Sequence, residues 1–597
     1  MAAGYIGDKT TAATTGAIEN NGTINVNGEY SIGMYGAQSG TTVTNNNDIV
    51  LNASNTTGIY VENNAKAINN GTIRTGASGL SNVTGVVLGS GSTLTNNGTI
   101  NLVDSTSADK PNIGMFTEDK NTVIHNNKDI IGGNNTYGIF GKTITLGSSG
   151  RIKVGDNSVG IFSNGKYASG LLNPTINLAA NSIIEVGKNE SVGVFTTGEN
   201  QIIKAEGDMK IGDGSYGFVI RGKGTKLFSN STNGVTLGND TVFIYSADTK
   251  GDIENKTTLT ATGNKNYGIY SAGNVKNLAD INFGNGTGNV GIYSIAGGTA
   301  TNGNNTVKPT IRVSKSDIEK KIYGIGMAAG YSEESPAGSG RKVTRGIGSI
   351  ENHGLIRVTT PDSIGMYATG KGSRIYNGPT GRIELSGRKR NIGIFAENGT
   401  TTVANSVITN TGTINMNNEK SVGIYAPKST VTKVGKINLA DAADGSTAVY
   451  ISGQGKITDT SDAEISLGTK NQNRVAYYIK GQNTTLGSAT TTIGKVTGYG
   501  VGVYLEGSTG DIAKINGSTS KLHYTVATGA TGNGLIGLLL KGNTEIKDYI
   551  AGIKVGDTVP KTKTDAAKYA IGIYADRQGT TVNKYEIKAP ITTGANG

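Results

Sequence analysis

The chain has 597 residues, 35% hydrophobic and 17% charged, with 92 glycines, 9 prolines, no cysteine and a formal charge of +11. The absence of cysteine excludes disulfides, thiol nucleophiles and thiolate metal sites. The positive charge is spread along the chain rather than blocked, so nucleic acid is not indicated as a partner, and no stretch approaches the ~18 apolar residues of a membrane helix.

Taken in order, Asn20-Asn21-Gly22-Thr23-Ile24-Asn25-Val26 reads as a turn followed by a short strand, with apolar residues alternating with polar ones. Asn27-Gly28 turns the chain. Ser31-Ile32-Gly33-Met34-Tyr35 is the next strand, and Thr41-Thr42-Val43-Thr44 is a third, closed by Asn45-Asn46-Asn47. Asp48-Ile49-Val50-Leu51 then opens the following period.

The same order returns throughout. The phrase Ser-Ile-Gly-Met-Tyr reappears as Thr56-Thr57-Gly58-Ile59-Tyr60, Ser191-Val192-Gly193-Val194-Phe195 and Ser421-Val422-Gly423-Ile424-Tyr425. With its third position as a marker, 20 copies run from Gly33 to Gly572 at a mean spacing of about 28 residues. The twelfth marker is read at Gly324. Glycine holds the marker in 17 of the 20 copies, with Phe243, Ala448 and Ala476 as exceptions. A constant glycine inside a strand implies close backbone approach or a bend. The Asn-Gly strand recurs at Asn69-Asn70-Gly71-Thr72-Ile73, Asn96-Asn97-Gly98-Thr99-Ile100 and Asn410-Thr411-Gly412-Thr413-Ile414.

Three strands per period, each too short to bury a face alone, are satisfied when each pairs with its equivalent one coil away. This predicts an all-β, right-handed parallel β-helix of about 20 coils, a single solenoid over residues 1–597. At about 4.8 Å per coil it would extend roughly 95 Å. Asparagines at equivalent turns are expected to bond up the stack through their amides. Surplus residues in a solenoid emerge as loops. The largest insertion is expected at 326–350, with smaller ones at 165–175, 507–521 and 555–565. The chain reads as a segment of something longer.

An aromatic residue fills the fifth position of the marker phrase in 16 of 20 copies. Phe replaces Tyr freely, which suits a packing stack better than a carbohydrate-facing track; whether the row faces in or out is open at this level. Gly212-Asp213-Gly214-Ser215-Tyr216-Gly217 and Gly286-Thr287-Gly288-Asn289-Val290-Gly291 match GxGxxG, but neither opens a helix. Gly155-Asp156-Asn157 and Gly212-Asp213-Gly214 invite a calcium reading but lack tandem nonapeptide spacing. No metal or cofactor is expected. His125, His353 and His523 are isolated, and the first two read as turn residues. Asp441, Asp444, Asp459 and Asp462 fall within about one period, where facing carboxylates could serve glycan cleavage; turn aspartates are the plainer reading. No catalytic signature is present, so the chain is expected not to be an enzyme.

Two stretches suggest partner contact. One is the long insertion, with Tyr331, Glu333, Glu334, Arg341, Lys342 and Arg345; the other is the basic run Arg388, Lys389 and Arg390 just beyond it.

The repeated phrases Asn-Asn-Gly-Thr-Ile-Asn-Val and Ser-Ile-Gly-Met-Tyr, without cysteine, resemble the passenger domains of type Va autotransporters (type V secretion). They are most similar to the giant outer-membrane adhesins of fusobacteria. The resemblance is one of scaffold and covers nearly the whole chain. It implies a β-helical virulence adhesin displayed at the bacterial cell surface. Its partners would be host-cell or bacterial surface receptors, protein or glycan, including those of coaggregation. Membrane attachment would run only through a translocator barrel, which these residues lack. A passive stalk and a glycan-cleaving enzyme are the alternatives.

Overall fold

A computed structural model describes residues 1–4, 14–332, 345–370, 372–397, 406–470, 473–481, 484–486, 494–507, 513–516, 520–525, 535–542, 544–547, 550–555, 570–576 and 591–593. Among them every regular element is a strand. The chain divides into two compact units, Met1–Asp280 and Ile281–Gly597.

In the first unit each coil carries three strands, as in Ile32–Ala37, Thr42–Asn45 and Asp48–Leu51. Each pairs in parallel with its equivalent in the next coil: Met34 with Ile59, Val43 with Ala67, Ile49 with Ile73. Three faces result. The aromatic face holds the marker strands, the asparagine face the Thr42–Asn45 series, and the third face the Asp48–Leu51 series. The second unit is built the same way, as shown by Ile364–Thr369, Arg374–Asn377 and Arg382–Leu385 pairing with Ile392–Glu397, Val407–Asn410 and Thr413–Met416. The chain is therefore an all-β parallel solenoid.

The core follows from period-two alternation. The residue after the marker glycine points inward on the aromatic face, and Met34, Ile59, Val86, Met115 and Ile139 are all fully buried. Ile49, Ile73 and Ile100 do the same on the third face. Each such side chain contributes on the order of 1.5–3 kcal/mol when taken out of water.

On the asparagine face an amide ladder replaces apolar packing at the last strand position. Asn20 donates Nδ2 to Asn45 Oδ1 at 2.7 Å, Asn45 to Asn69 at 2.8 Å, Asn69 to Asn96 at 2.7 Å and Asn96 to Asn126 at 2.7 Å, all buried. A second, exposed row runs beside it through Asn46, Asn70, Asn97 and Asn127 at 3.0–3.2 Å. The buried row ends where Asn126 turns to the Lys128 carbonyl and Leu146 takes the position in the next coil. It recurs in the second unit through Asn302, Asn352, Asn377 and Asn410.

In the coils that carry it, the marker glycine is held by close contact. A Cβ on Gly58 would lie 2.6 Å from the Gly85 carbonyl oxygen, and on Gly85 2.6 Å from that of Gly114, with an inward isoleucine methyl under 3 Å away in both cases. In the second unit the register makes Gly326 the marker rather than Gly324. Ile325 and Met327 pair with Ile364 and Met366, and a Cβ on Gly326 would meet the Gly365 carbonyl at 2.6 Å. Gly324 lies in the corner before it, against the Ser314 carbonyl. Gly324-Ile325-Gly326 offers two candidate markers two residues apart, and pairing separates them.

The insertions leave the coils as follows. Between Val159–Ser163 and Ile176–Leu178 no strand forms, and the loop is pinned at both ends. The Tyr167 N–H donates to the Glu199 carbonyl at 3.0 Å, and the Thr175 N–H to that of Ile202 at 2.8 Å. The longest insertion departs through an antiparallel pair, Tyr331 opposite Gly346 and Ser332 opposite Arg345. Residues 507–521, expected as a loop, contain the strand Ala513–Asn516, which pairs with Thr484–Leu486, and the start of Ser520–Thr525. There the apolar alternation of Ala513 and Ile515 continues the asparagine face. Val555 ends the strand Ile550–Val555, and the rest of 555–565 lies outside the described residues.

Candidate functional site

The fifth-position aromatics point outward and are half-buried, while their neighbours in sequence fill the core. Stacking one coil apart brings the rings together. In the second unit Phe395, Tyr425, Tyr450, Tyr478 and Tyr504 form a column with centroids 4.7–5.0 Å apart and interplanar angles of 8–27°. In the first unit Tyr35 stacks on Tyr60 at 5.8 Å and Tyr245 on Tyr270 at 5.5 Å, while Phe116, Phe140, Phe162 and Phe195 are tilted or edge-on. The position is Ala328 in the coil of Gly326, so the column is interrupted between Tyr293 and Tyr367.

A pyranose ring docks on the face of an aromatic, and here the faces of the stacked rings are covered by one another. Edges and hydroxyls remain for solvent, and several hydroxyls are engaged. Tyr35 donates to Glu62 at 2.5 Å, and Tyr367 and Tyr478 donate to Glu397 and Glu506. Burial, reinforced by these carboxylates, raises the Tyr35, Tyr367 and Tyr478 phenols well above their ordinary range. Burial, with Tyr425 and Glu506 adding to it, pushes Tyr450 up to about 12. The row is a packing device. Tyr450→Phe should therefore leave the unfolding midpoint in denaturant essentially unchanged. Tyr450→Ala should cost about 1–3 kcal/mol, from two stacking pairs of ~0.5–1.5 kcal/mol each; equal effects of the two variants would assign the role to the hydroxyl instead.

Of the residues expected to meet a partner, Glu333, Glu334, Arg341 and Lys342 lie outside the described residues. Tyr331 and Arg345 are placed by their backbones, one on each strand of the antiparallel pair. Arg388, Lys389 and Arg390 occupy an exposed bend joining the third face to the aromatic face. The bend is held by its backbone: the Arg388 carbonyl accepts from Asn391 Nδ2 at 3.0 Å and from Asn418 Nδ2. Arg390 is neutralised, its guanidinium bidentate on Asp362 at 2.5 and 2.8 Å. The side chains of Arg388 and Lys389 have no ion-pair partner among the described residues. The basic run thus divides into one structural arginine and two cations free to meet an anion.

Three of the four clustered aspartates, Asp441, Asp459 and Asp462, are engaged within the scaffold. Lys433 binds both Asp459 at 3.0 Å and Asp462 at 2.6 Å. Asp441 accepts from the Thr469 N–H at 2.6 Å, the Thr469 hydroxyl at 2.7 Å and the Lys470 N–H at 3.1 Å, with Arg474 at 3.5 Å. Burial raises its carboxyl, but these donors and the Arg474 charge outweigh that and hold it at about 2. A groove of about 480 Å³ on the third face contains Arg382, Glu384 and Asp441. Glu384 is clamped there by Arg357 at 3.0 Å and Arg382 at 3.1 Å. Every Asp or Glu with a displaced pKa among the described residues is displaced downward.

The Gly-Asp turns use their carboxylates in the same way. Asp156 accepts from the Lys188 N–H at 2.7 Å and Asp213 from the Asn239 N–H at 2.8 Å, each capping the turn of the next coil. No group of three His, Asp or Glu that could hold a metal ion occurs among the described residues. His125 is on the strand Val123–Asn126, opposite Thr95 and Thr145, rather than in a turn. His353 does follow its strand and meets Tyr376 edge-on at 5.8 Å. His523 is placed by its backbone within Ser520–Thr525.

One groove was not signalled by any motif. On the asparagine face of the first unit, Leu172 and Pro174 of the pinned loop stand over Phe228 and Ile202, enclosing about 410 Å³. Leu172 is 92% exposed and Phe228 42%. The one clue in the sequence is an aromatic at an outward position that its two neighbouring coils fill with Lys204 and Glu254.

Residues 142–406 match the family described as the BigA third pectate lyase-like domain, which is less than half of the chain. Among solved structures, a mutant tailspike protein of E. coli bacteriophage HK620 in complex with a pentasaccharide aligns at 11% identity. The alignment covers 91% of this chain and 74% of that one, with a TM-score of 0.14, too low to bear on function. No curated protein matches the chain.

Proposed function

We propose that the chain is a non-enzymatic adhesive segment of a protein displayed at the bacterial cell surface. On this reading the coils are scaffold and attachment occurs through the turns and insertions. The observation that carries it is the division of the charged groups. Carboxylates that a reaction would need are locked in ion pairs and turn caps, whereas Arg388 and Lys389 project unpaired from a clamped bend. Rigid presentation lowers the entropy cost of binding. The contact residues would be the bend and the insertion carrying Tyr331, Glu333, Glu334, Arg341, Lys342 and Arg345. The repeated phrases, which resemble those of autotransporter passenger domains, and the match to a pectate lyase-like domain support a β-helix displayed at the cell surface.

The test is binding of the purified chain to bacterial partner cells, host cells and a glycan array. The double variant Arg388→Glu/Lys389→Glu, exposed and free of scaffold contacts, is expected to fold normally and to bind at least tenfold more weakly. Unchanged binding would remove the bend from the site, and no binding by the intact chain would make it a stalk. The groove with Glu384 and Asp441 favours a second reading, glycan cleavage. Release of reducing ends from a polysaccharide panel by the intact chain, but not by Glu384→Gln, would establish it.

A further inference from the structure

The groove between Leu172 and Phe228 joins two departures from the repeat that are far apart in sequence. The insertion supplies Leu172, and the strand Lys226–Ser229 supplies Phe228. The loop is not draped loosely. Its first end is tied by Tyr167, whose hydroxyl reaches the Thr143 hydroxyl at 3.0 Å and whose carbonyl accepts from Asn200 Nδ2 at 2.8 Å. At its far end the Thr175 hydroxyl lies 3.1 Å from the Ile202 carbonyl, on the strand that passes beneath the groove. Leucine and phenylalanine are therefore held exposed in a fixed relation.

On this face Phe228 pairs in register with Lys204 on one side and Glu254 on the other, and no other ring contacts it among the described residues. The ring thus lacks the covering neighbours that the aromatic face provides. The charges around it are already matched. Lys204 binds Glu206 at 3.0 Å, and Glu254 binds Lys256 at 2.6 Å and Lys276 at 3.4 Å.

We propose that this groove is a docking site for an uncharged apolar segment of a protein partner, which inserts a leucine-sized or aromatic side chain between Leu172 and Phe228. Charge complementarity decides the occupant. The lining charges, Lys204 and Lys256 against Glu206 and Glu254, cancel and are engaged with one another, so a charged ligand would gain no partner and would lose hydration. The unspent free energy lies in the exposed apolar surface, ringed by polar groups that exclude water, as at an interface hot spot. The volume is in the range of side-chain and small-ligand pockets, ~300–1,000 Å³. This site deepens the adhesive reading by naming a protein ligand for one insertion.

The test uses a random dodecapeptide library displayed on phage, panned on the full chain and counter-selected on Leu172→Asp. Leu172 is solvent-exposed, so that variant should keep the unfolding midpoint of the parent. Phe228→Ser is the second variant. Peptides centred on a leucine or aromatic residue should be enriched, and should bind either variant at least tenfold more weakly than the parent. Enrichment that fails to distinguish the parent from the variants overturns the proposal, as does a Leu172-dependent signal confined to a glycan array. Cell binding is scored separately: a chain that binds no cells defeats the adhesive reading, while the panning still decides the groove.

Discussion

Gly138→Val is expected to destabilise the first unit by about 3 kcal/mol or more, at the upper end of overpacking effects. A Cβ there would lie 2.5 Å from the Gly160 carbonyl oxygen and 2.6 Å from the Ile152 Cγ2. Neither neighbour can yield cheaply, because the carbonyl belongs to the next coil and the methyl to the packed column. The cause is steric rather than conformational, since Gly138 is not among the residues with positive φ. A Cβ on Gly22 would have nothing within 4 Å of it, so this position serves as the control and Gly22→Ala should be nearly silent. Chemical unfolding followed by circular dichroism reads both. Equal midpoints for the two variants would show that the marker glycine is retained for another reason. Ala448, Ala476 and Phe243 occupy the marker position and are buried, so a side chain is absorbed where the adjoining coil has adapted to it, as Phe218 packs edge-on against Phe243 at 5.5 Å; the coils on either side of Gly138 carry glycine and have no such accommodation.

The second large effect is expected at Asp441→Ala. Other coils enter the aromatic face through a buried serine, such as Ser421 or Ser446, and this one enters through Arg474, which is fully buried. Its guanidinium donates to the Ala440 carbonyl at 2.8 Å and to the Lys470 carbonyl, and lies 3.5 Å from Asp441 Oδ1. Removing the carboxylate leaves a buried cation without its counter-charge, typically ~3–5 kcal/mol. Because 35% of the Asp441 side chain reaches water, which screens the pair, a loss of about 2 kcal/mol is expected. Asp441→Ala combined with Arg474→Ser should recover most of it, because the cation is then gone and the serine of neighbouring coils is restored.

The same pair predicts a pH dependence. The folded carboxyl, at about 2, lies below the ordinary ~3.9 of an unfolded aspartate. A depressed pKa contributes stability above the unfolded value and loses it as pH falls toward the folded one. The difference between the parent and Asp441→Ala should therefore be full at pH 5–7 and shrink between about pH 4 and 2. A constant difference across that window would show that Asp441 acts through packing alone.

Much of this molecule is written in its short repeated phrases. Ile24 and Val26, or Met34 after Gly33, announce by alternation which side chains enter the core, and the recurrence of Asn45, Asn69 and Asn96 announces the amide ladder. Where two glycines both fit the marker phrase, as Gly324 and Gly326 do, the irregular spacing of the repeat could not choose. His125 looked like a turn residue because its coil replaces a threonine by histidine next to two asparagines, yet the ladder holds it in a strand. In residues 507–521 irregular spacing concealed Ala513 and Ile515, two apolar positions enough to keep the face going. The cluster Asp441, Asp444, Asp459 and Asp462, read first as turn aspartates, does not converge as a group: Lys433 gathers two of them, while Asp441 turns to Thr469 and Arg474.

Sequence by itself determined the all-β solenoid, its coil length, its apolar columns and its lack of thiol chemistry, because these depend on periodicity and composition, which are local properties of the chain. Tertiary structure decided which side of the sheet the aromatics occupy, which cations remain unpaired, and that Leu172 and Phe228 line one groove. Those outcomes depend on the registration of whole coils. Residues some 25–60 positions apart become neighbours only when each strand has found its partner in the next turn of the stack.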